Sequence, residues 1–352
     1  MMKKLYRKYL LALVAILIIS PTVLIAGNKD RTGEAGASEL LLNPWASSSG
    51  WGNCNTAAVR GIEGTFMNIA GTAFTKGTDV NFTYMRYLSQ VNIYTIGLNQ
   101  QVGSAGVLGM YLMNLSFGEI PITTTDLPEG GQGTYYPNFL NIGISYARIF
   151  SNSIYGGVMV KIINESLPNT RGTGVAFDVG IQYVTGKKEN LKFGITLKNW
   201  GPTMKFTGDG ASIRTKLKGK GENQFTLEVR PNPFELPSQL LIGLAYDFLF
   251  EGDYRLTFAG SFISNAFAND QFALGAEFDF KDYLQIRGGY TYEDGIFSKD
   301  TRTNLFIGPS CGISVKIPTN KETRNGFKFD YSYRFTHPIN QGAHTIGVLL
   351  DF

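Results

Sequence analysis

The sequence predicts an all-β protein: an antiparallel transmembrane β-barrel of about fourteen strands, with an N-terminal hatch segment ahead of it. Three observations lead there. Alternation with a period of two recurs in about fourteen segments between Asp79 and Phe352. One face of those segments is too apolar and aromatic for a soluble sheet. The connections between them alternate in length, as they do in outer-membrane barrels.

The first 27 residues read as a secretory signal. Lys3, Lys4, Arg7 and Lys8 form a basic region, Leu10 to Ile19 an apolar core, and Pro21 follows, with small residues at Ala26 and Gly27 for cleavage. The apolar run is short for a membrane-spanning helix and is broken by Ser20 and Pro21. The chain carries a net charge of +4, and the four basic residues of this region supply all of it. The remainder is close to neutral, so its basic isoelectric point is no argument for nucleic-acid binding.

Residues 28–78 do not alternate. They are rich in Gly, Ala, Ser and Asn and carry Trp45, Trp51, Phe66 and Phe74. A flexible leader is one reading. A hatch folded into the barrel mouth or lumen is the other, and it is preferred because four large aromatics need burial.

The barrel is assigned to 79–352. Its alternating segments span 79–88, 91–102, 105–118, 138–150, 153–166, 174–185, 190–199, 238–250, 253–263, 270–281, 283–293, 304–317, 324–335 and 343–352. Most are near the ~9–11 residues of a spanning strand. Leu240, Ile242, Leu244, Tyr246, Phe248 and Phe250 share one outward face, and Val175 to Tyr183 share another. Near the C-terminus Phe327, Phe329, Tyr331, Tyr333 and Phe335 alternate with Lys328, Asp330, Ser332 and Arg334. Five aromatics on one strand face suit hydrocarbon and its interfacial belts rather than water. The opposite faces carry Asp178, Gln182, Asp247, Glu277, Arg287 and Glu293. Asp247, Glu277, Arg287 and Arg334 are expected to fill or line the lumen as cross-strand pairs.

An even strand number places both ends of the barrel on the inner side, so connections after even strands should be short and those after odd strands long. Gly103-Ser104, Ser151-Asn152, Gly186 to Glu189, Glu251-Gly252 and Asp282 are short; 119–137 and 200–237 are long. Ser89-Gln90 breaks the rule. The overall chemistry agrees: charged residues are 17% against the usual ~25%, aromatics reach 13%, and mean hydropathy is −0.05. Polar lumen and apolar exterior average to such a value.

Catalytic and metal motifs are missing. His337 and His344 lack ligand spacing with Cys, Asp or Glu, and there is no H-E-x-x-H, G-x-S-x-G or phosphate loop. The chain is read as a non-enzyme without cofactor or metal. Cys54 and Cys311 leave a disulfide open; Cys311 shares parity with Ile313 and Val315 and should face outward unless a bulge at Gly308-Pro309 flips it. The loop 200–237 carries Lys205, Arg214, Lys216, Lys218 and Lys220. It is either a solvated loop beside acidic lipopolysaccharide or a partner-docking element.

Several stretches resemble the PorV/PorQ family, a branch of the FadL-like outer-membrane barrels. Residues Glu63 to Phe74 resemble that family's Asn-Pro-Ala-Gly-Leu-Ala element through Asn68, Ala70, Gly71 and Phe74, with Ile69 where the family has Pro. The run Ile195-Thr196-Leu197-Lys198-Asn199-Trp200-Gly201-Pro202-Thr203-Met204-Lys205-Phe206 is similar to its Gln-Asn-Leu/Val-Gly-Pro-Lys-Met element. Leu236-Pro237, 241–246 and the hairpin carrying 330–333 and 342–345 also match. The resemblance covers about residue 50 to the C-terminus and implies a fourteen-strand barrel working in type IX protein secretion in Bacteroidota. The implied partners are a translocon subunit or the C-terminal signal domain of cargo. The alternative is a FadL-like transporter of hydrophobic small molecules, with Phe66, Met67, Ile69 and Phe74 lining a pocket. The ending Gly347, Leu350, Phe352 looks like the signal by which such barrels reach the barrel-assembly machinery. Outer-membrane lipid and lipopolysaccharide complete the expected surroundings.

Overall fold

The computed structural model describes residues 27–216, 224–228, 231–298, 301–319, 325–336 and 342–352. The signal-peptide reading therefore lies almost wholly outside the described residues, as do Lys218, Lys220 and His337.

Branched and aromatic side chains on one face, and polar or small ones on the other, make each wall strand stable only between two solvents. That pattern produces fourteen antiparallel strands: β1 (Thr78–Leu88), β2 (Val91–Val102), β3 (Gly106–Ser116), β4 (Asn138–Ile149), β5 (Ile154–Leu167), β6 (Thr170–Thr185), β7 (Leu191–Trp200), β8 (Gln239–Phe250), β9 (Tyr254–Asn265), β10 (Gln271–Phe280), β11 (Leu284–Glu293), β12 (Gly308–Pro318), β13 (Gly326–Arg334) and β14 (Ala343–Asp351). Each pairs with its sequence neighbours, and β14 pairs with β1 from Asp79↔Asp351 to Arg86↔His344. Closure removes every sheet edge, which hydrocarbon cannot solvate. At the seam Thr78 N–H donates to Phe352 O (3.2 Å) and Phe352 N–H to Thr78 O (3.0 Å).

All fourteen expected strands are present. Outward faces carry Phe82, Ile144, Ile181, Ile242, Phe329 and Ile346, all exposed. β6 begins at Thr170 rather than 174, leaving only Pro168-Asn169 between β5 and β6. The loop-length rule is thus broken by two tight outer turns, not by Ser89-Gln90 alone. The 200–237 excursion carries a hairpin of its own, Ser212–Lys216 with Gln224–Glu228.

The register shifts once between β6 and β7, from Phe177↔Trp200 to Val179↔Leu197. Asn199 takes φ 57 there, a conformation Asn tolerates better than most residues. Its N–H donates to Asp178 Oδ1 (2.8 Å), so the bulge is pinned by a side chain of the neighbouring strand.

The segment before β1 lies inside the wall and runs from one rim to the other. Gly27 N–H donates to Asp270 Oδ2 (2.6 Å) in the outer connection between β9 and β10. Ala35 bridges Glu235, and Arg31 binds Glu34 and Glu235. The chain then descends through α1 (Ala46–Gly50) and α2 (Gly64–Met67) to the seam at Thr78. Trp45, Trp51, Ile62, Phe66, Met67 and Ile69 are buried against Met85, Ile93, Met113, Met159 and Leu241. The indole N–H groups stay satisfied: Trp45 donates to Thr65 Oγ1 and Trp51 to Glu277 Oε2, both at 3.0 Å. Phe74 is only half-buried; it stacks on Tyr155 at 4.0 Å.

Candidate functional site

The hatch divides the lumen into two cavities. The turn Gly61 to Met67 is the septum. Glu63 faces the inner cavity, and Phe66 and Met67 face the outer one. Glu63 is held in place because its Oε2 accepts from Ser48 N–H (2.8 Å) and Ser48 Oγ–H (2.6 Å). Burial pushes its carboxyl above the usual range.

The inner cavity, about 140 Å³, is lined by Arg60, Lys192, Arg255 and Lys328 with Glu63 and Glu277. Most of its charges are matched. Lys192 pairs with Asp247 (2.6 Å), Arg255 with Asp279 (2.7 Å), Arg287 with Glu277 (2.8 Å) and Lys328 with Asp330 (3.3 Å). The first three are cross-strand pairs of the kind expected of a filled lumen, and the last lies along β13.

The outer cavity, about 210 Å³, differs. Leu42, Phe66, Met67, Leu241, Ile263 and Phe306 give it an apolar part, and Ser38, Asn53, Gln239, Gln271, Thr303 and Asn304 a polar one. Two cations project into it. Lys198 reaches in from β7, and its Nζ lies 3.6 Å from the centre of the Phe66 ring. Arg334 reaches in from β13, over the Phe306 ring at 4.6 Å, and donates to Phe306 O (3.3 Å). Lys198 is 2% exposed and Arg334 5%. Among the described residues neither has a carboxylate within ion-pair distance. Asp178, the acid nearest Lys198 by strand order, is taken by Lys161 (2.5 Å), which also donates to Asn199 Oδ1 (2.7 Å). Glu293 is taken by Thr303 N–H (2.8 Å) and Asn304 Nδ2 (2.5 Å), which hold the loop carrying Phe306 over the cavity. Two buried basic side chains without a carboxylate partner among the described residues retain donors that an anionic group entering the cavity would meet.

The sequence-predicted residues fall in several places. Asn68 is a fastener: its Oδ1 accepts from Ala70 N–H (3.1 Å), and its Nδ2 donates to Thr56 O (3.2 Å) and Ile181 O (3.1 Å) on the wall. Ala70 is fully buried, and Gly71 lies against Val59 O. Phe66 and Met67 line the outer cavity, whereas Ile69 and Phe74 pack on the wall and line neither. Asn199 anchors the bulge, and its Nδ2 also donates to Pro237 O (3.1 Å). Gly201 lies against Val175 O and Leu236. Met204 is buried with Ala37, Leu40, Ile163 and Leu236, and exchanges backbone bonds with Phe234 (2.8 Å each way). Trp200 is 63% exposed on the rim, and Pro202 and Lys205 are exposed. Arg214 and Lys216 stand on the outer hairpin. Gly347 faces Ala46 of α1, Leu350 faces outward, and Phe352 is exposed.

One open question is answered and one expectation corrected. Cys54 and Cys311 do not pair: Cys54 is buried under the hatch, and Cys311 points outward from the wall. The Gly308-Pro309 step does not flip it. Arg334 is not half of a cross-strand ion pair; β14 opposite it offers Ala343. Lys198 lay unassigned inside the Asn199 motif run. Alternation placed it inward, but only the fold shows that no acid meets it.

No protein-family model matches the chain, and no curated protein matches it. Solved structures do. CymD, a monoaromatic hydrocarbon channel, superposes with a TM-score of 0.54 at 12% identity over 87% of this chain and 97% of that one. The Ralstonia pickettii toluene transporter TbuX gives 0.52 at 12% over 88% and 99%. The Pseudomonas putida toluene transporter TodX gives 0.50 at 11% over 88% and 97%. The shared property is the fold, a closed antiparallel β-barrel; the proteins it is shared with are a hydrocarbon channel and two toluene transporters.

Proposed function

We propose that the protein is an outer-membrane channel barrel that captures small amphipathic molecules in its outer cavity, an apolar body against Phe66, Met67, Leu241 and Ile263 and an anionic group between Lys198 and Arg334. The observation that carries this is the pair of buried cations, without a carboxylate partner among the described residues, beside the apolar part of one cavity. The test is binding of benzoate against toluene, and of octanoate against octanol, to the purified barrel by calorimetry. The acids should bind at least about tenfold tighter, and Lys198→Met with Arg334→Met should remove that preference. Equal affinity for acid and neutral analogue refutes the anionic site, and absence of binding by all four refutes the channel reading.

A second reading is a component of type IX secretion that docks a translocon subunit or the C-terminal domain of cargo. It is supported by the Asn199-Trp200-Gly201-Pro202-Thr203-Met204 element, whose buried members fasten the 201–237 excursion while Trp200 stays exposed beside it. Purification from the native membrane at endogenous level should then retain such a partner; isolation of lone barrels from secreting cells counts against it. Delivery to the assembly machinery is assigned to Gly347, Leu350 and Phe352.

A further inference from the structure

The outward wall is not uniform around its outer rim. From β7 to β13 the last outward positions are Trp200, Leu240, Ser264, Phe272, Tyr292, Pro309 and Phe335, aromatic on four of the seven strands. That is the aromatic girdle expected where hydrocarbon meets head groups. From β14 through β6 the rim is different. The ladders place His344 opposite Arg86, Arg86 opposite Asn92 and Asn92 opposite Ser116. They continue with Ser116 opposite Asn138, Asn138 opposite Ser166 and Ser166 opposite Arg171. One register row thus crosses seven adjacent strands on the outward face with a hydrogen-bonding side chain at every position.

The row is cationic at both ends and contains no carboxylate. Arg86 is exposed and has no acidic partner among the described residues; beside it Arg86, Tyr87, Ser89, Gly342 and His344 line a notch of about 160 Å³. His344 is oriented by its Nδ1 contact with Tyr331 Oη (2.9 Å), and Tyr84 Oη donates to Asn92 Oδ1 (2.9 Å). Arg171 Nε donates to Asn164 Oδ1, on the same outward face. The tight Ser89-Gln90 turn leaves the rim low above Arg86.

Geometry gives the row a direction. Six inter-strand steps of ~4.8 Å make it about 29 Å long. Strands tilt by ~40°, so a row perpendicular to them climbs about 18 Å along the membrane normal. The strands lengthen toward the Arg171 end, from 11 and 12 residues in β1 and β2 to 14 and 16 in β5 and β6. The Arg86 end therefore sits at the interface, and the Arg171 end stands above it. From this we infer that the row is a track for the head group of a phosphorylated glycolipid of the outer leaflet: phosphate at Arg86 and His344, sugar hydroxyls along the amides and serines, and further anionic sugar or phosphate at Arg171. Unpaired cations match phosphate, and side-chain amides and hydroxyls match a carbohydrate, while an acyl chain or an apolar protein face would satisfy neither.

The experiment is thermal stabilisation and native mass spectrometry of the detergent-purified barrel with diphosphoryl lipid A against the same lipid dephosphorylated. Diphosphoryl lipid A is expected to raise the melting temperature by several degrees and to stay bound, with the dephosphorylated form at least about tenfold weaker. Arg86→Gln with His344→Gln should abolish the difference, whereas Arg171→Gln should leave lipid A binding intact and weaken only binding of lipid carrying its core sugars. These residues face away from the lumen, so benzoate binding should not change in any variant. An equal response to the two lipids, or full retention in the double variant, overturns the inference. Retention of a polypeptide on this face in place of lipid overturns it as well.

Discussion

Replacing Gly289 by Ala tests whether the hatch is held by close contact with the wall. Gly289 faces inward on β11, where a methyl group would press on the Trp51 carbonyl, 2.5 Å from its carbon and 3.1 Å from Gly52 N. Ordinary contact needs 3.4 Å or more, so the Trp51-Gly52 loop must retreat by about 1 Å. Retreat stretches the Trp51 Nε1–Glu277 bond (3.0 Å) and the Thr291 Oγ1–Gly52 O bond (2.9 Å). Overpacking costs ~1–3 kcal/mol, and the two bonds ~0.5–3 kcal/mol each, with overlap; the expected sum is about 3 kcal/mol. The neighbouring Gly288 is a built-in control, because its methyl would face outward, with Ser310 O at 3.7 Å. Gly288→Ala should stay within ~0.5 kcal/mol. Cys54 is a natural reporter: it is fully buried beside Gly275, and burial pushes its thiol well up. In a Cys311→Ser background, a water-soluble maleimide should modify Cys54 about a hundredfold faster in Gly289→Ala than in Gly288→Ala, since ~1.4 kcal/mol is a factor of ten. The guanidinium midpoint should fall in step. If the two variants label at the same rate and melt together, the wall glycine does not seat the hatch.

Three further outcomes follow from the same contacts. Removing one partner of the buried Lys161–Asp178 pair by Lys161→Met should cost ~3–5 kcal/mol, and Lys161→Met with Asp178→Leu should recover much of it, as read from denaturation midpoints. Glu39, buried against Glu165 and Asn141, has its carboxyl pushed up from 4.5 to about 8, chiefly by burial. The folded state therefore keeps a proton that the unfolded state has lost, so stability is full below pH 4.5 and falls as pH rises toward 8; Glu39→Gln should flatten the midpoint across that window, a difference on the order of a few kcal/mol. Deleting Phe352 removes both backbone bonds to Thr78 and the terminal aromatic, and should lower the yield of heat-modifiable folded barrel in outer membranes by severalfold.

The wall was legible because its signal is local. Phe327 to Phe335 and Leu240 to Phe250 each state their face within one strand, and neither needs a partner to do so. The β5–β6 turn was misplaced because Thr170-Arg171-Gly172-Thr173 shows no apolar face: the inward position is a glycine covered by Met204 and Phe206, and the outward ones are polar. The hatch was legible only as a need for burial. Trp51 announced that it must be covered, not that Glu277 would accept its N–H from 226 residues away.

What the chain determined by itself is the barrel: strand number, facing and compartment follow from a period of two, because two different solvents meet the two faces. The tertiary structure alone decided which lumen charges are matched. Asp178 goes to Lys161 rather than to Lys198, and Arg334 meets no acid among the described residues, because pairing depends on which strands and loops converge on one cavity. It also decided that the hatch enters at the outer rim, and that seven polar residues scattered from Arg86 to His344 form one row. A ladder's register is set by all of its strands together, and no single strand records it.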